Sequence, residues 1–169
     1  MDGNHGRHAL EEELSALEHS MLEMGSLAES MVSRAVDALV ALDVEAAMEV
    51  VRGDDLIDQL DVEIEGRCLR LLALQQPMAS DLRVIGTAMK MITDIERIGD
   101  LAVDIAKTTR KVEGELGSTD FIDLRRMSGV VLRMLRGALE AYVKRDLELV
   151  ASQRIDGQRR YGQRHRHAA

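Results

Sequence analysis

Apolar residues recur at intervals of three and four along most of this chain, and a single proline, Pro77, interrupts the pattern. This spacing places the apolar side chains on one face of a helix, so it predicts amphipathic α-helices. The first series consists of Leu14, Leu17, Met21, Met24, Leu27, Met31, Ala35, Val36 and Leu39. We expect helices over residues 9–42, 44–74, 80–112 and 121–144, and a fifth helix that begins at Asp146. Since amphipathic helices bury their apolar faces against one another, the expected fold class is all-α, built on an antiparallel three-helix bundle.

The composition supports such a bundle and argues against several kinds of function. Apolar residues make up 46% of the chain but aromatic residues only 2%, so aliphatic side chains and methionine must fill the core. A formal net charge of −8 opposes nucleic-acid binding, which relies on basic surface. No apolar run approaches the ~18 residues of a membrane-spanning helix, and no secretory leader opens the sequence. We therefore expect a cytoplasmic protein that is at most peripheral to membranes, with its single cysteine, Cys68, as a buried and unreactive thiol.

The chain resembles itself at an offset of 103 residues. The matched pairs are Met24 and Met127, Met31 and Met134, Ala35 and Ala138, Val36 and Leu139, Asp37 and Glu140, Ala38 and Ala141, Val40 and Val143, Asp43 and Asp146, and Glu45 and Glu148. The match stops near Gln153, and the following residues include five arginines and two histidines but hardly any apolar side chain. The sequence therefore contains one full repeat and part of a second.

This repeat divides the chain into four parts. Residues 1–8 are expected to be a disordered leader, 9–112 a complete three-helix repeat, 118–153 a partial second repeat, and 154–169 a basic, disordered tail. A partial repeat leaves apolar helix faces uncovered, so we expect a homodimer or a larger oligomer that completes it.

The second helix carries a stripe of four acidic residues. They are Asp54, Asp58, Asp61 and Glu65, and their spacing of 4, 3 and 4 keeps them within roughly 60° of one another on the helix. Apolar residues flank the stripe on both sides, whereas the basic residues of this helix lie opposite. The helical wheel therefore predicts that these acids lie on the buried side.

The third helix repeats the pattern with Glu96, Asp100 and Asp104. Two carboxylates ~6 Å apart repel by about 3 kcal/mol at an effective dielectric constant of ~20, so facing stripes must be neutralised. Protonation, arginines from another element and metal cations are the alternatives, and metal is favoured. Carboxylate ligands select hard cations such as Mg²⁺, Ca²⁺, Mn²⁺ or iron, with zinc less natural.

The other kinds of site are disfavoured. No histidine stands three residues after a glutamate, as the di-metal oxidase bundles require, and neither a phosphate-binding glycine loop nor a Gly-x-Ser-x-Gly sequence is present. A metallohydrolase would lack an identifiable base, so the expected protein is not an enzyme. The alternative to a metal site is a helical interaction bundle whose acidic stripes bind the basic surface of a partner.

Two short motifs carry a resemblance to a known family. Gln76-Pro77 is followed by Asp81-Leu82-Arg83, and Glu96-Arg97-Ile98-Gly99-Asp100 follows at a fixed distance. Together with the Asp54, Asp58 and Asp61 series, these motifs resemble the PhoU family of phosphate-uptake regulators over roughly residues 10–153.

The resemblance implies a fold of two three-helix repeats and a regulator that restrains the phosphate regulon. It implies partners as well, namely the ATPase of a phosphate ABC transporter and a sensor histidine kinase. It also implies metal binding, with iron or zinc as the metal, at Asp54, Asp58 and Asp61 on one helix and Glu96, Asp100 and Asp104 on the next. Glu65 is added from the helical wheel. The second acidic motif of the family would fall on Gly157, Tyr161 and Arg164, so this sequence lacks it.

Overall fold

The computed structural model describes residues 3–74, 77–112, 122–146 and 148, and every element in them is a helix. The helices are α1 (Gly3–Ala41), α2 (Val44–Arg52), α3 (Asp54–Leu74), α4 (Ala79–Lys111) and α5 (Ile122–Lys144). The all-α expectation is confirmed, and the bounds of α4 and α5 fall within one residue of those expected. The loop after α4, most of the fifth helix expected from Asp146, and the basic tail lie outside the described residues.

The first helix begins earlier than the sequence suggests. Residues 3–8, expected in a disordered leader, form the first turns of α1. The Arg7 guanidinium lies 3.0 Å from a carboxylate oxygen of Glu11 and 3.0 Å from one of Asp81, which is buried at the start of α4. The ion pairs of Arg7 thus stabilise helical structure in a segment whose lack of apolar side chains does not predict a helix.

The expected second helix is broken in two at Gly53. The Gly53 amide donates to the carbonyl oxygens of Glu49 and Val50, at 3.1 and 3.0 Å, which ends α2. Glycine is the weakest helix former after proline, so a break at this position costs little. As a result α3 starts at Asp54, and Asp54 and Asp55 lie in its first turn, where the helix dipole favours negative charge.

The helices α1, α3 and α4 form the bundle, and α2 packs on α1 and α4. The start of α1 meets the start of α4 at the Arg7–Asp81 pair, so these two helices run parallel. Ile57, early in α3, packs on Gly99, late in α4, so α3 runs antiparallel to both. The core between the three helices includes Leu17, Met21, Met24, Ile57, Ile64, Cys68, Leu71, Ile85, Ile92 and Ile95.

The internal repeat is visible in the backbone. Leu42 and Arg145 stand 103 residues apart, and each has a φ of 55° at the end of a helix. In both places two amides close the same turn, with Leu42 donating to Leu39, Asp43 to Ala38, Arg145 to Tyr142 and Asp146 to Ala141, at 2.9 to 3.2 Å. This is the Schellman pattern of helix termination. The second repeat therefore begins as the first one does.

The helix α5 packs antiparallel on α1 through small residues and ion pairs. The side chain of Leu139 fills the space where a Cβ at Gly25 would lie. Three ion pairs run along the seam, Glu18 with Arg145, Glu29 with Arg136, and Asp37 with Arg125. The opposite face of α5 has less cover. Its Met127 and Met134 are 40% and 39% exposed, whereas the corresponding Met24 and Met31 are 0% and 3% exposed.

None of the described helices combines the length and the hydropathy that crossing a membrane requires.

Candidate functional site

The two acidic stripes lie next to each other on α3 and α4, close enough for their charges to act on one another. A Cβ at Gly99 would stand only 2.8 Å from Cδ1 of Ile57, so glycine at this position lets the two helices approach closely. Asp100 follows Gly99, and Asp58 follows Ile57, so both carboxylates stand beside this contact. We call the seven acids the acidic groove: Asp54, Asp58, Asp61 and Glu65 on α3, and Glu96, Asp100 and Asp104 on α4.

The electrostatics of the groove show that the acids of the two helices influence one another. Partial burial raises the pKa of Asp54, and the neighbouring charges of Asp58 and Asp100 raise it further. Partial burial likewise raises the pKa of Glu96, followed by the charges of Asp100 and of the acids on α3. For Asp61 the causes of a raised pKa are partial burial and the charges of Glu65 and Asp58. Each carboxylate therefore makes ionisation of its neighbours less favourable.

The sequence was wrong about how deeply these acids lie. Asp58, Glu65, Asp100 and Asp104 are exposed, and only Asp54, Asp61 and Glu96 are half-buried. The error arises from the apolar residues that flank the stripe on α3. Ile57, Ile64, Cys68 and Leu71 on one side are buried, but Val62 and Leu69 on the other side are exposed. Among the described helices, α1 and α4 provide most of the cover of α3, and its buried face is therefore narrower than its apolar face.

Little positive charge balances the groove. Among the described residues, no Lys, Arg or His lies within ion-pair distance of any of the seven carboxylates. Among the groups that shift the pKa of Asp54, Lys107 is the one cation. It lowers this pKa, but burial and the acidic neighbours Asp58 and Asp100 have stronger effects that raise it. Asp104 is not among the main causes acting on Asp54 or Glu96, so it lies at the margin of the group.

The donor chemistry of the groove suits a hard cation, but the side chains are not arranged around one. Within the described parts of the chain, no three Asp, Glu, His or Cys side chains are placed to hold a metal ion together. The exposed carboxylates, such as Asp58 and Asp100, face solvent and are free to change rotamer. Binding of an ion would therefore require these side chains to turn inward from their present positions.

The same groove continues into an apolar half that the sequence reasoning missed. Leu72 follows Asp54 and Leu82 precedes Asp100, each by 18 residues, or five helical turns, so each pair points in the same direction, and Met78 lies just before the start of α4. With Leu69 these residues form what we call the apolar strip, and their exposed fractions are 52% for Leu69, 39% for Leu72, 67% for Met78 and 46% for Leu82. A helical wheel of α3 extended to Leu72 would have revealed this continuation.

The single cysteine takes no part in this groove. Cys68 is completely buried in the core beneath it, and burial is the main cause that raises the pKa of its thiol to about 11. The expectation of a buried cysteine is confirmed. A thiol of this kind stays protonated and is a poor nucleophile near neutral pH.

Comparison with known proteins identifies relatives of the whole described fold. The PhoU domain matches residues 21–109. A phosphate-specific transport system accessory protein PhoU homolog of Clostridium acetobutylicum is 40% identical over 143 residues, which cover 84% of this chain and 65% of that protein. The homolog from Aquifex aeolicus is 36% identical over 134 residues, covering 79% of this chain and 61% of its own length. The chain thus spans less than two thirds of the length of these curated relatives.

Solved structures agree with these matches. The crystal structure of PhoU from Pseudomonas aeruginosa superposes with a TM-score of 0.76 at 36% identity, covering 84% of this chain and 68% of that one. The phosphate transport system regulatory protein PhoU from Streptococcus pneumoniae gives a TM-score of 0.77 at 34% identity, with 91% and 70% covered. The architecture described above is therefore shared with solved structures at clear sequence similarity.

Proposed function

Because this chain belongs to the PhoU family, we propose that it is an accessory regulator of phosphate transport that acts through metal binding and protein contacts rather than catalysis. The observation that carries the proposal is the acidic groove. Its carboxylates gather across two helices of the matched domain, raise one another's pKa and have no ion-pair partner among the described residues. A site of this kind is stabilised by whatever brings positive charge to it.

Metal cations are the proposed source of that charge. Asp54, Asp58, Asp61 and Glu65 would supply ligands from α3, and Glu96, Asp100 and Asp104 from α4. Carboxylate oxygens are the ligands of Mg²⁺, Mn²⁺ and Ca²⁺, and they also bind iron and zinc, the two metals suggested by the family resemblance. A bound cation would join α3 to α4 and thereby make the stability of the bundle depend on metal.

The proposed role of the chain is to connect two other proteins on the cytoplasmic side of the membrane. Its partners would be the ATPase of a phosphate ABC transporter and a sensor histidine kinase, and its effect would be to repress phosphate-regulated genes when phosphate is abundant. The support for this part is family membership and the names of the relatives, which are phosphate-specific transport accessory proteins. The geometry contributes a charged groove and exposed apolar side chains that are suited to protein contact.

Elemental analysis of the purified, untagged protein tests metal binding. We expect a stoichiometric cation in the wild type and its loss in the double variant Asp58→Asn/Asp100→Asn. The matched control is Asp55→Asn/Asp94→Asn, which removes the same charge from exposed positions of α3 and α4 outside the groove. The control should retain the metal of the wild type.

A wild-type protein that is folded and free of metal would refute metal binding. In that case a second function is favoured, in which the acids bind the basic surface of a partner protein, because no described residue forms an ion pair with them. The stability of Asp58→Asn/Asp100→Asn also distinguishes the two functions. Without metal, this variant should be more stable than the wild type because like-charge repulsion is reduced. If the groove is a metal site, addition of the cation should stabilise the wild type and remove this difference.

We also propose that copies of the chain associate through α5. The support is the contrast between Met127 and Met134, which are partly exposed, and their repeat partners on α1, which are buried. Multi-angle light scattering at micromolar concentration should give a dimer or larger species, and a purely monomeric protein would contradict this expectation. Met127→Gln/Met134→Gln should shift the distribution toward monomer, since it makes the exposed face of α5 polar.

A further inference from the structure

The apolar strip is not explained by the packing of the bundle. Leu69, Leu72, Met78 and Leu82 all keep more than a third of their surface exposed. Single exposed apolar residues are common on proteins, but Leu69 and Leu72 lie on α3, Leu82 lies on the neighbouring α4 and Met78 lies just before it, and a group of this kind marks a contact surface. The strip lies at the end of the bundle where α3 is followed by α4, and its Leu72 and Leu82 share the helix faces of Asp54 and Asp100.

Along the two helices, an acidic half is thus followed by an apolar half. The acidic half has surplus negative charge, and among the described residues Lys107 lowers the pKa of Asp54. The apolar half adjoins the acids on α3, where Leu69 follows Glu65 by about one turn, and Leu72 lies five turns, or about 27 Å, from Asp54. A ligand that fills both halves must be elongated, apolar at one end and basic at the other.

An amphipathic helix of a partner protein has these properties. Helices bind in grooves between two other helices through apolar residues at positions i, i+3, i+4 and i+7. Arginines and lysines at the other end would meet the carboxylates and give the complex its direction, because a reversed helix would place apolar side chains among the acids. An anionic membrane surface does not fit, since the acidic half would repel it.

We propose that the groove between α3 and α4 is a docking site for a partner helix whose apolar end covers the apolar strip and whose basic end lies over the acidic groove. This inference deepens the proposed function, on which it rests, by naming the surface that contacts the partner and the chemistry of the segment that binds there. It requires no particular metal. A bound cation would reduce the negative charge of the acidic half without altering the strip.

A synthetic peptide tests the proposal. The probe is an amidated helix of about 24 residues, long enough to span both halves, with leucines at helical spacing in its first half and arginines in its second. Its control is the same peptide with glutamates in place of the arginines. Fluorescence anisotropy of each labelled peptide is measured against the wild-type protein at several salt concentrations, with and without EDTA.

Two variants and one matched control locate the binding site. Leu69→Ser/Leu82→Ser makes the strip polar at exposed positions, so it should fold as the wild type does, which the far-UV circular dichroism spectrum verifies. Asp58→Asn/Asp100→Asn reduces the charge of the acidic half. The control is Leu101→Ser, because Leu101 is 60% exposed but lies on another face of α4.

We expect the arginine peptide to bind the wild type and the Leu101 variant alike, more weakly as salt rises. The strip variant should bind it about tenfold more weakly, equivalent to about 1.4 kcal/mol, and the charge variant should show a smaller salt dependence. Equal affinity of the strip variant and the wild type would overturn the proposal, as would equal binding of the glutamate peptide or no binding at about 100 μM. A wild type that dimerises through the strip, and becomes monomeric in the strip variant, would also overturn it.

The result of the peptide experiment can be distinguished from the result of the metal-binding experiment. The strip variant retains every carboxylate, so its metal content should equal that of the wild type. A strip variant that keeps its metal but loses the peptide would support the docking site. Loss of metal from the charge variant, with unchanged peptide affinity in the strip variant, would leave the metal proposal standing and refute the docking site.

Discussion

Replacement of Asp81 by alanine should destabilise the whole bundle, although this residue lies far from the acidic groove. Asp81 is 2% exposed and accepts three hydrogen bonds. They come from Nη1 of Arg7 at 3.0 Å, from the backbone amide of Met78 at 3.1 Å and from the hydroxyl of Ser80 at 3.4 Å. The carboxylate thus fastens the start of α4 to the start of α1.

The expected loss of stability follows from the hydrogen bonds that alanine cannot accept. Loss of a side-chain cap from the end of a helix costs about 1 kcal/mol. Hydrogen bonds to a charged group are worth about 1.5–3 kcal/mol in net stability, but the Ser80 bond is long and its hydroxyl is exposed to water. We therefore expect a loss of about 2–3 kcal/mol for Asp81→Ala, or about 4–12 °C in melting temperature for a chain of this size.

Urea denaturation followed by circular dichroism at 222 nm measures this loss. The matched control is Asp94→Ala, which removes an exposed carboxylate from the same helix and should change stability by less than about 0.5 kcal/mol. In a double-mutant cycle with Arg7→Ala, the two substitutions should cost less together than the sum of each alone. A loss below about 0.5 kcal/mol for Asp81→Ala, or strict additivity with Arg7→Ala, would refute the view that this contact holds α1 and α4 together.

Two further predictions concern the repeated turn and the acidic groove. At Leu42, where φ is 55°, glycine should give a protein about 1 kcal/mol more stable than alanine at the same position, and equal urea midpoints would contradict this. In the metal-free protein the raised pKa values of Asp54, Asp61 and Glu96 mean that the folded state holds protons more tightly than the unfolded state does. Their contribution to stability is therefore complete below their ordinary pKa values of 3.8 to 4.5 and is lost as the pH rises through the raised values. Urea midpoints between pH 4 and 7 should show a shallower loss in the variant with asparagine at positions 58 and 100, and equal slopes would count against repulsion in the groove.

The course of the chain could be predicted where local rules apply. The bounds expected for α4 and α5 fall within one residue of those observed, because apolar periodicity and terminating residues act over a few positions. The internal repeat found in the sequence returned as a repeated turn at Leu42 and Arg145. The break at Gly53 was missed because glycine is tolerated inside many helices, and Gly53 itself keeps right-handed helical backbone angles, with φ −79° and ψ −8°.

The candidate site was predicted in composition but not in environment. The sequence correctly placed six of the seven acids, all except the marginal Asp104, in one mutually interacting group, because residues three and four apart share a face of a helix. It could not decide their burial, since a helical wheel shows direction within one helix and not which directions its neighbours cover. A wheel of α3 contains Leu69 and Leu72 of the apolar strip, whereas Leu82 lies on α4 and Met78 lies just before it.

The sequence by itself determined that this protein is helical, that it repeats, and that two of its helices each carry a row of carboxylates. These properties depend on side chains a few positions apart, and their periodicity is therefore readable from the chain alone. Only the tertiary structure decided that the two rows share one groove, that this groove is open to solvent, and that it continues into an apolar strip. Those properties depend on the close approach of α3 and α4 at Gly99 and on which helix faces remain uncovered, and residues distant in the sequence control both.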